Sequence, residues 1–390
     1  MRTIGVAERR ARLGVRHFLA KPAQTVEDAA AAMVGLHSSD PTSVFVSARA
    51  RLPRMTREDL EDALYERRSL VRMLGMRGTL FVTTPTMAAD IDAACTKAIA
   101  AVERRRIVKL LQEQGIARDG DAWLNAAIRD TMAALHEHGE LAGAQLSKLV
   151  PVLNTKIRYG SGVWTAEGGM TTRVVFLLAA EGAIVRGRPR GTWISGQYRW
   201  VPTDTWLGAP LPAVPTAEAS AALLRAWLTA YGPGTMADIR WWTAWTVRQT
   251  KDALDALEVE EVALDGGDTG FVLADDVAPV RSRAHWVAFL PGLDATTMGW
   301  KERDWYLGAH GPALFDRNGN AGPTVWVDGR VVGGWSQREN GDVVYRLLER
   351  VDAATKNKVN TERDRLTAWF GGTRITPRFR SPLEKELAQS

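Results

Sequence analysis

A plan of helices followed by a hairpin recurs along this chain, and that recurrence constrains the fold more than any single motif. Residues 25 to 85 carry two helical patterns, "TVEDAAAAMVGL" and "TREDLEDALYERRSLVRML", and then the strand-like "GTLFVTTP". Thr56 and Asp59 have the spacing of a capping box at the start of the second pattern. Residues 120 to 201 repeat the plan with "DAWLNAAIRDTMAALHEHG", "LAGAQLSKLVPVL" and "MTTRVVFLLAAEG". Two alternating strands come next, around the Arg-Pro-Arg-Gly tip of "GAIVRGRPRGTWISGQYRWVP". A third copy occupies residues 216 to 275: "TAEASAALLRAWLTAYG", "GTMADIRWWTAWTVRQTKDALDAL" and "EVEEVALDGGDTGFVLADD". Helices closed by a hairpin are the plan of a winged helix, so the pattern predicts tandem winged helices.

The texture then changes. From "VRSRAHWVAFLPGLD" through "AGPTVWVDGRVVGGWSQRENGDVVYRLLE" the chain is β-rich, with turn signals at Asn318-Gly319, Asp328-Gly329 and Asn340-Gly341. A small barrel or curled sheet is expected there, with "GGW" at 333–335 on a bulged strand. "DAATKNKVNTERDRLTAWFGG" reads as a closing helix, and "TRITPRFRSPLEKELAQS" as a basic tail. The expected fold class is α+β. Its parts are an N-terminal basic helix over 1–24, winged helices over 25–118, 119–210 and 211–280, a β-barrel over 281–350, and a helix with tail over 351–390.

Composition narrows the function classes. With 45% hydrophobic and 24% charged residues, the 390-residue chain is ordinary for a soluble globular protein. Cys95 is the single cysteine, which excludes an internal disulfide framework or a thiolate metal cluster and reads as a buried structural thiol. No apolar run is long enough for a signal-peptide core or a membrane span, so no membrane partner is expected and the cytoplasm is the default compartment. The arginines of "MRTIGVAERRARLGVRHFLA" read as one face of a basic helix. His136 and His138 stand two apart on a helix and splay, so no metal site is expected. No phosphate-binding loop or dinucleotide fingerprint occurs, and Gly160-Ser161-Gly162 is ordinary loop chemistry.

The net charge of +5 gains meaning from where it sits. Arg186, Arg188 and Arg190 crowd the second hairpin, Arg199 comes after them, and no acid lies between residues 184 and 200. Trp193, Tyr198 and Trp200 interleave with them. Guanidinium groups on a wing suit phosphates, and flat aromatics lie against sugars or bases. A solvated turn backed by a half-buried strand is the plain alternative.

Five strings, in order, resemble one family: "VGLHSSDP", "RGTLFVTTP", "YGPGTMADIRWW", "FLPGLDATTMGWKERDW" and "PTVWVDGRVVGGW". They are similar to the winged-helix DNA glycosylases of the AlkZ and YcaQ type, and the resemblance covers nearly the whole chain. It implies three tandem winged helices and a β-barrel arranged as a C-shaped clamp on double-stranded DNA. It also implies excision of N-alkylated purines, including some interstrand crosslinks, with no cofactor and no metal. A clamp that encloses its ligand needs no partner, so a monomer associated with the bacterial nucleoid is expected.

Base excision breaks the bond from C1′ to the base nitrogen. Alkylation at N7 or N3 makes the purine a cation and a good leaving group, so the enzyme need only place a water and stabilise an oxocarbenium-like sugar. The resemblance places this work on a glutamine, a hydrophobic residue and a glutamine or aspartate after "GL". Those positions hold His37, Ser38 and Ser39 here, and all three depart from the pattern. His37 is expected to position or activate water, Ser39 to hold it, and Asp40 to offer a carboxylate one residue on. The plain reading of the same stretch is a helix start, with Ser39 or Asp40 as N-cap and Pro41 at the first helical position. Asp294 and Arg303 match a family motif and are candidate DNA contacts, or pair with each other. Trp241, Trp242 and Trp245 read as core and interdomain packing. The other functional class is a DNA-binding protein without catalysis, sequestering lesions or regulating a promoter. A clamp that binds a genotoxic small molecule has only the tryptophan content behind it.

Overall fold

The computed structural model describes residues 1–160, 166–282 and 284–389. Ser161 and Gly162, of the Gly-Ser-Gly loop, lie outside them.

The chain opens with a strand, β1 (Arg2–Ile4), and a helix, α1 (Val6–Arg16). The expected basic face of α1 is not presented to solvent. Arg9 lies over the Trp305 ring, and Arg12, 1% exposed, pairs with Glu8 and Asp276.

The first unit consists of α2 (Val26–Ala32), β2 (Leu36–His37), α3 (Pro41–Arg51), α4 (Arg57–Glu61), β3 (Val71–Leu74) and β4 (Leu80–Thr83). Capping boxes start α2 at Thr25/Asp28 and α4 at Thr56/Asp59, as the spacing predicts for the latter. The helix predicted to run through Leu74 stops earlier. Arg68 takes a positive φ of 54°, and Val71–Leu74 then pairs antiparallel with β4. The sheet order is β2-β4-β3. Helices α5 (Pro85–Ile91) and α6 (Lys97–Glu113) lead out through a π-helical turn that carries Cys95.

The second unit holds α7 (Gly120–His138), α8 (Gly143–Leu149), the pair β5 (Lys156–Tyr159) and β6 (Ala166–Gly169), α9 (Thr171–Ala180), and the hairpin β7 (Ile184–Pro189) and β8 (Tyr198–Pro202), ending in α10 (Thr203–Leu207). The third holds α11 (Thr216–Tyr231), α12 (Met236–Thr243), α13 (Val247–Asp255), β9 (Val259–Leu264) and β10 (Thr269–Leu273). β1 joins this third sheet parallel to β9, a pairing across most of the chain that no local pattern announces.

The β-rich segment supplies β11 (Val287–Leu290), the short helices α14 (Asp304–Leu307) and α15 (Gly311–Leu314), then β12 (Thr324–Val327), β13 (Arg330–Gln337) and β14 (Val343–Leu347). Among the described residues these strands form an open sheet in the order β11-β12-β13-β14, so the expected closed barrel is not found. Two helices take the place of closure. Helix α16 (Ala353–Phe370) packs on β11 and β14, and α17 (Pro382–Gln389) on β13, so the apolar sheet is covered without closing on itself. The tail is therefore structural at its end: Leu383 and Leu387 are buried, and Glu384 accepts a hydrogen bond from Ser336. At the β12–β13 turn Asp328 and Gly329 both take positive φ (47° and 84°), as the Asp-Gly signal predicts. The expected bulge is on β13 itself: Val325 and Trp326 face Gly333 and Val331, so Val332, next to the GGW run, is the extra residue.

One buried polar network joins these units. Arg51 of α3 meets Asp294, in the loop after β11, with both side chains fully buried and two N–H···O contacts of 2.9 and 3.0 Å. Asp294 also accepts from the Ser47 hydroxyl (2.6 Å) and the Thr296 amide (2.8 Å). Thr296 Oγ1 receives Arg51 at 2.8 Å and sits 2.9 Å from His17 Nδ1, whose Nε2 faces the Ala230 carbonyl of α11. A carbonyl only accepts, so Nε2 carries the ring proton and Nδ1 takes the Thr296 hydroxyl hydrogen. Burial alone would raise the Asp294 pKa, but Arg51, Ser47 and the Thr296 amide hold it below the usual carboxylate range.

Removing one partner leaves a buried charge alone. Arg51→Met or Asp294→Leu is expected to cost about 3–5 kcal/mol in chemical denaturation. Arg51→Met/Asp294→Leu together should recover much of that loss, and a double variant as unstable as the sum of the singles would contradict this coupling.

Candidate active site

The candidate site begins where β2 ends. Leu36 and His37 pair with Val82 and Phe81 of β4. The ladder continues for two residues: Ser38 N–H donates to Leu80 O at 2.7 Å, and Ser39 Oγ accepts the Leu80 N–H at 3.3 Å. The Ser39 side chain thus replaces a main-chain partner, and its hydroxyl hydrogen and second lone pair remain for another ligand. The chain then turns into α3, with Asp40 as N-cap and Pro41 in the first turn.

Each residue of the stretch has a distinct environment. His37 is 5% exposed, edge-on to Phe81 at 5.1 Å, and its Nδ1 faces the Ser39 amide at 3.4 Å. Burial, helped by the Arg77 charge and opposed by Asp294, pushes its pKa down to about 3. The ring is therefore neutral at physiological pH and too weak a base to take a proton from water. Ser38 is fully buried and accepts from Arg72 Nε at 2.7 Å. Asp40 is not an available carboxylate. One oxygen takes the Thr42 amide (2.8 Å) and hydroxyl (2.6 Å), and the other takes the Arg378 amide (2.6 Å).

Ser39, but not His37, lines a cleft of about 390 Å³ between the first and second units and the C-terminal segment. Leu80, Phe176 and Trp200 supply apolar walls, and Arg186 and Arg378 supply charge. Arg186 is half-buried between the rings of Tyr198 (4.9 Å) and Trp200 (4.8 Å). No aspartate or glutamate among the described residues lines the cleft.

A family model for the DNA glycosylase AlkZ-like proteins matches residues 30–369. The chain belongs to the AlkZ-like DNA glycosylase family. Its fold is similar to the solved structure of the Streptomyces sahachiroi DNA glycosylase AlkZ, with a TM-score of 0.72 and 20% identity over 94% of this chain and 97% of that one. No curated protein matches the sequence.

Within this AlkZ-like chain the sequence-predicted site residues separate. The hairpin arginines do not act as one exposed tip. Arg188 lies over Tyr65 and pairs with Glu66 (2.7 Å) and Glu61 (3.5 Å), while Arg199 approaches Glu140 at 3.4 Å. Those acids come from outside the 184–200 window, so an acid-free stretch of sequence does not make an acid-free surface. Arg190 is exposed. Trp193 and Tyr198 are buried, and only Trp200 of the interleaved aromatics reaches the cleft. Asp294 is not at a DNA-facing edge, because it is the buried partner of Arg51 rather than of Arg303. Arg303 stacks on Trp241 (4.7 Å) and Phe315 (4.8 Å), and Arg77 covers Trp241 at 4.2 Å. Trp242 and Trp245 are core, as expected.

The remaining candidates are structural or isolated. Cys95 is buried, with its thiol pushed up to about 12 by burial. No group of His, Cys, Asp or Glu able to hold a metal ion occurs among the described residues, and no described helix is long and apolar enough to cross a membrane. Sequence reading missed Arg77, Arg378 and Phe379. The "RFR" of the tail was a signal for the last two, but only the fold brings that tail back to Ser39.

The histidine environments predict a pH dependence of stability. His37 and His17 both have pKa values near 3 in the folded chain, against an ordinary 6.5. Between those values the unfolded chain binds protons that the native chain refuses, so stability falls as pH falls from 6.5. Each ring contributes on the order of 1.4 kcal/mol per pH unit. His37→Gln should flatten denaturation midpoints plotted against pH by about half of the two-histidine contribution; an unchanged slope would show that His37 is not held neutral.

Proposed function

We propose that this protein is a monofunctional DNA glycosylase that hydrolyses the N-glycosidic bond of cationic N-alkylated purines in double-stranded DNA. Bulky N7 adducts and interstrand crosslinks fall in the same chemical class. On this reading the three helix and hairpin units are tandem winged helices. Together with the β-rich unit they form a C-shaped clamp on the duplex, and the protein works as a monomer without cofactor. Arg190 and Arg186 face the DNA backbone. The observation that carries the reading is Ser39, half-exposed at the end of β2 in a cleft with two arginines and no carboxylate among the described residues, in a chain of the AlkZ-like DNA glycosylase family.

The chemistry comes from the leaving group. A cationic purine departs with its bonding electrons and becomes neutral, so no strong general acid is needed. What remains is to hold one water near C1′ as positive charge builds on the sugar. Ser39 has a hydroxyl hydrogen and a lone pair for that water. His37, neutral and in contact with the Ser39 amide, positions water through Ser39 rather than by abstracting a proton. Asp40 fixes the α3 start and the Arg378 segment that border the cleft.

The test is base release from a duplex carrying 7-methylguanine, read as alkali-labile cleavage in single turnover. Ser39→Ala and His37→Ala should slow release by on the order of ten- to a hundred-fold with duplex affinity retained. The wild-type rate should show no histidine-like inflection between roughly pH 6 and 8, because His37 does not titrate there. Tight duplex binding with no release from 7-methylguanine or any larger N7 adduct would make this a binding protein instead.

A further inference from the structure

Arg186 and Arg378 come from β7 and from the segment between α16 and α17, and both line the cleft that holds Ser39. Neither has a carboxylate partner among the described residues, whereas Arg188 and Arg199 of the same hairpin both do. Arg378 donates to a neutral acceptor, the Ser39 carbonyl, at 3.4 Å. Arg186 is clamped between two rings, and its Nε is buried without a hydrogen-bond partner. The nearby carboxylate, Asp40, is engaged by Thr42 and the Arg378 amide. Two cations therefore face one small space with their charge uncompensated. Burial, together with repulsion from Arg72 and Arg378, pushes the Arg186 pKa down to about 10, which still leaves it charged. Thr171 and Thr172, in the first turn of the ten-residue α9, line the same cleft and add the positive end of a helix.

We propose that Arg186 and Arg378 together bind one phosphodiester of the DNA backbone, next to the damaged nucleotide, and so set the register of the sugar against Ser39. The charge of the cleft suits the phosphate that accompanies every nucleotide. Guanidinium forks match phosphate oxygens in geometry as well as charge, and a guanidinium held flat between rings loses little freedom on binding. Leu80 and Phe176 suit the apolar edge of a deoxyribose. This inference rests on the DNA-binding part of the proposed function, not on catalysis.

The experiment measures affinity of the full chain, by fluorescence anisotropy, for a short duplex carrying one tetrahydrofuran abasic analogue. Phosphates around the analogue are replaced one at a time by neutral methylphosphonate. One position close to the analogue should weaken wild-type binding roughly ten-fold. Arg186→Gln/Arg378→Gln should weaken binding to the unmodified duplex by a similar factor and be indifferent to the replacement at that position. Arg186→Lys/Arg378→Lys, which keeps the charge, should retain part of both the affinity and the sensitivity. The proposal is overturned if no single replacement affects the wild type, or if the variant and replacement losses multiply at every position. The wild-type scan needs no variant to fold. If the coupling is present but 7-methylguanine is never released, the phosphate site stands and the catalytic reading falls.

Discussion

The buried pair of Arg51 and Asp294 is the constraint on which the arrangement of this protein depends. Its hydroxyl and imidazole neighbours, Ser47, Thr296 and His17, extend it from the end of α1 through α3 to α11 and the loop after β11. Such a pair contributes little net stability, because desolvation cancels most of its attraction. Its value is in register. Guanidinium and carboxylate satisfy each other only when α3 and the loop meet at one depth, so any slip leaves a charge stranded. Helix α3 begins at Pro41, two residues after Ser39. Holding α3 against the β-rich unit therefore holds the end of β2, and with it Ser39 at the edge of the cleft.

A second principle concerns how arginines are distributed between structure and surface. The chain has fifty lysines and arginines and forty-five acids, a balance that says little about any one site. Arg12, Arg49, Arg51 and Arg188 are matched by carboxylates. Arg77, Arg186 and Arg303 instead lie on aromatic faces, which attract a cation without neutralising it. Stacked arginines of this kind are oriented in advance and remain available to an anion. Tryptophans serve this purpose as well as core packing: Trp241 lies under two guanidinium groups, while Trp227, Trp326 and Trp335 are buried outright.

Local features of the fold were legible in the sequence. The Thr56/Asp59 capping box, the Pro41 helix start and the Asp328-Gly329 turn all depend on contacts a few residues apart, and each occurs where its spacing predicts. Features made by distant segments were not legible. Nothing near Arg2–Ile4 announces that it pairs with Val262–Leu264, and nothing near Asp294 names Arg51 as its partner. A closed barrel was not found among the described residues, and strand alternation does not reveal whether a sheet is covered by its own edges or by helices. At the candidate site, the resemblance pointed to His37–Ser39, and the structure brings Ser39 of these to the cleft. The burial of His37 was not legible, because it depends on Phe81 and on how the hairpin packs. Arg378 was invisible as a site residue, since the Asp40 contact that brings it to the cleft spans most of the chain.

The C-terminal segment and the end of β2 share one small cleft, and on the proposed function DNA enters it at the damaged nucleotide. A photoreactive benzophenone side chain substituted for Phe379, irradiated with a duplex carrying one abasic analogue, tests that placement most directly. The expected adduct maps to the nucleotides flanking the analogue and moves with it along the duplex. Adducts spread evenly along the DNA, or none despite full binding, would contradict it.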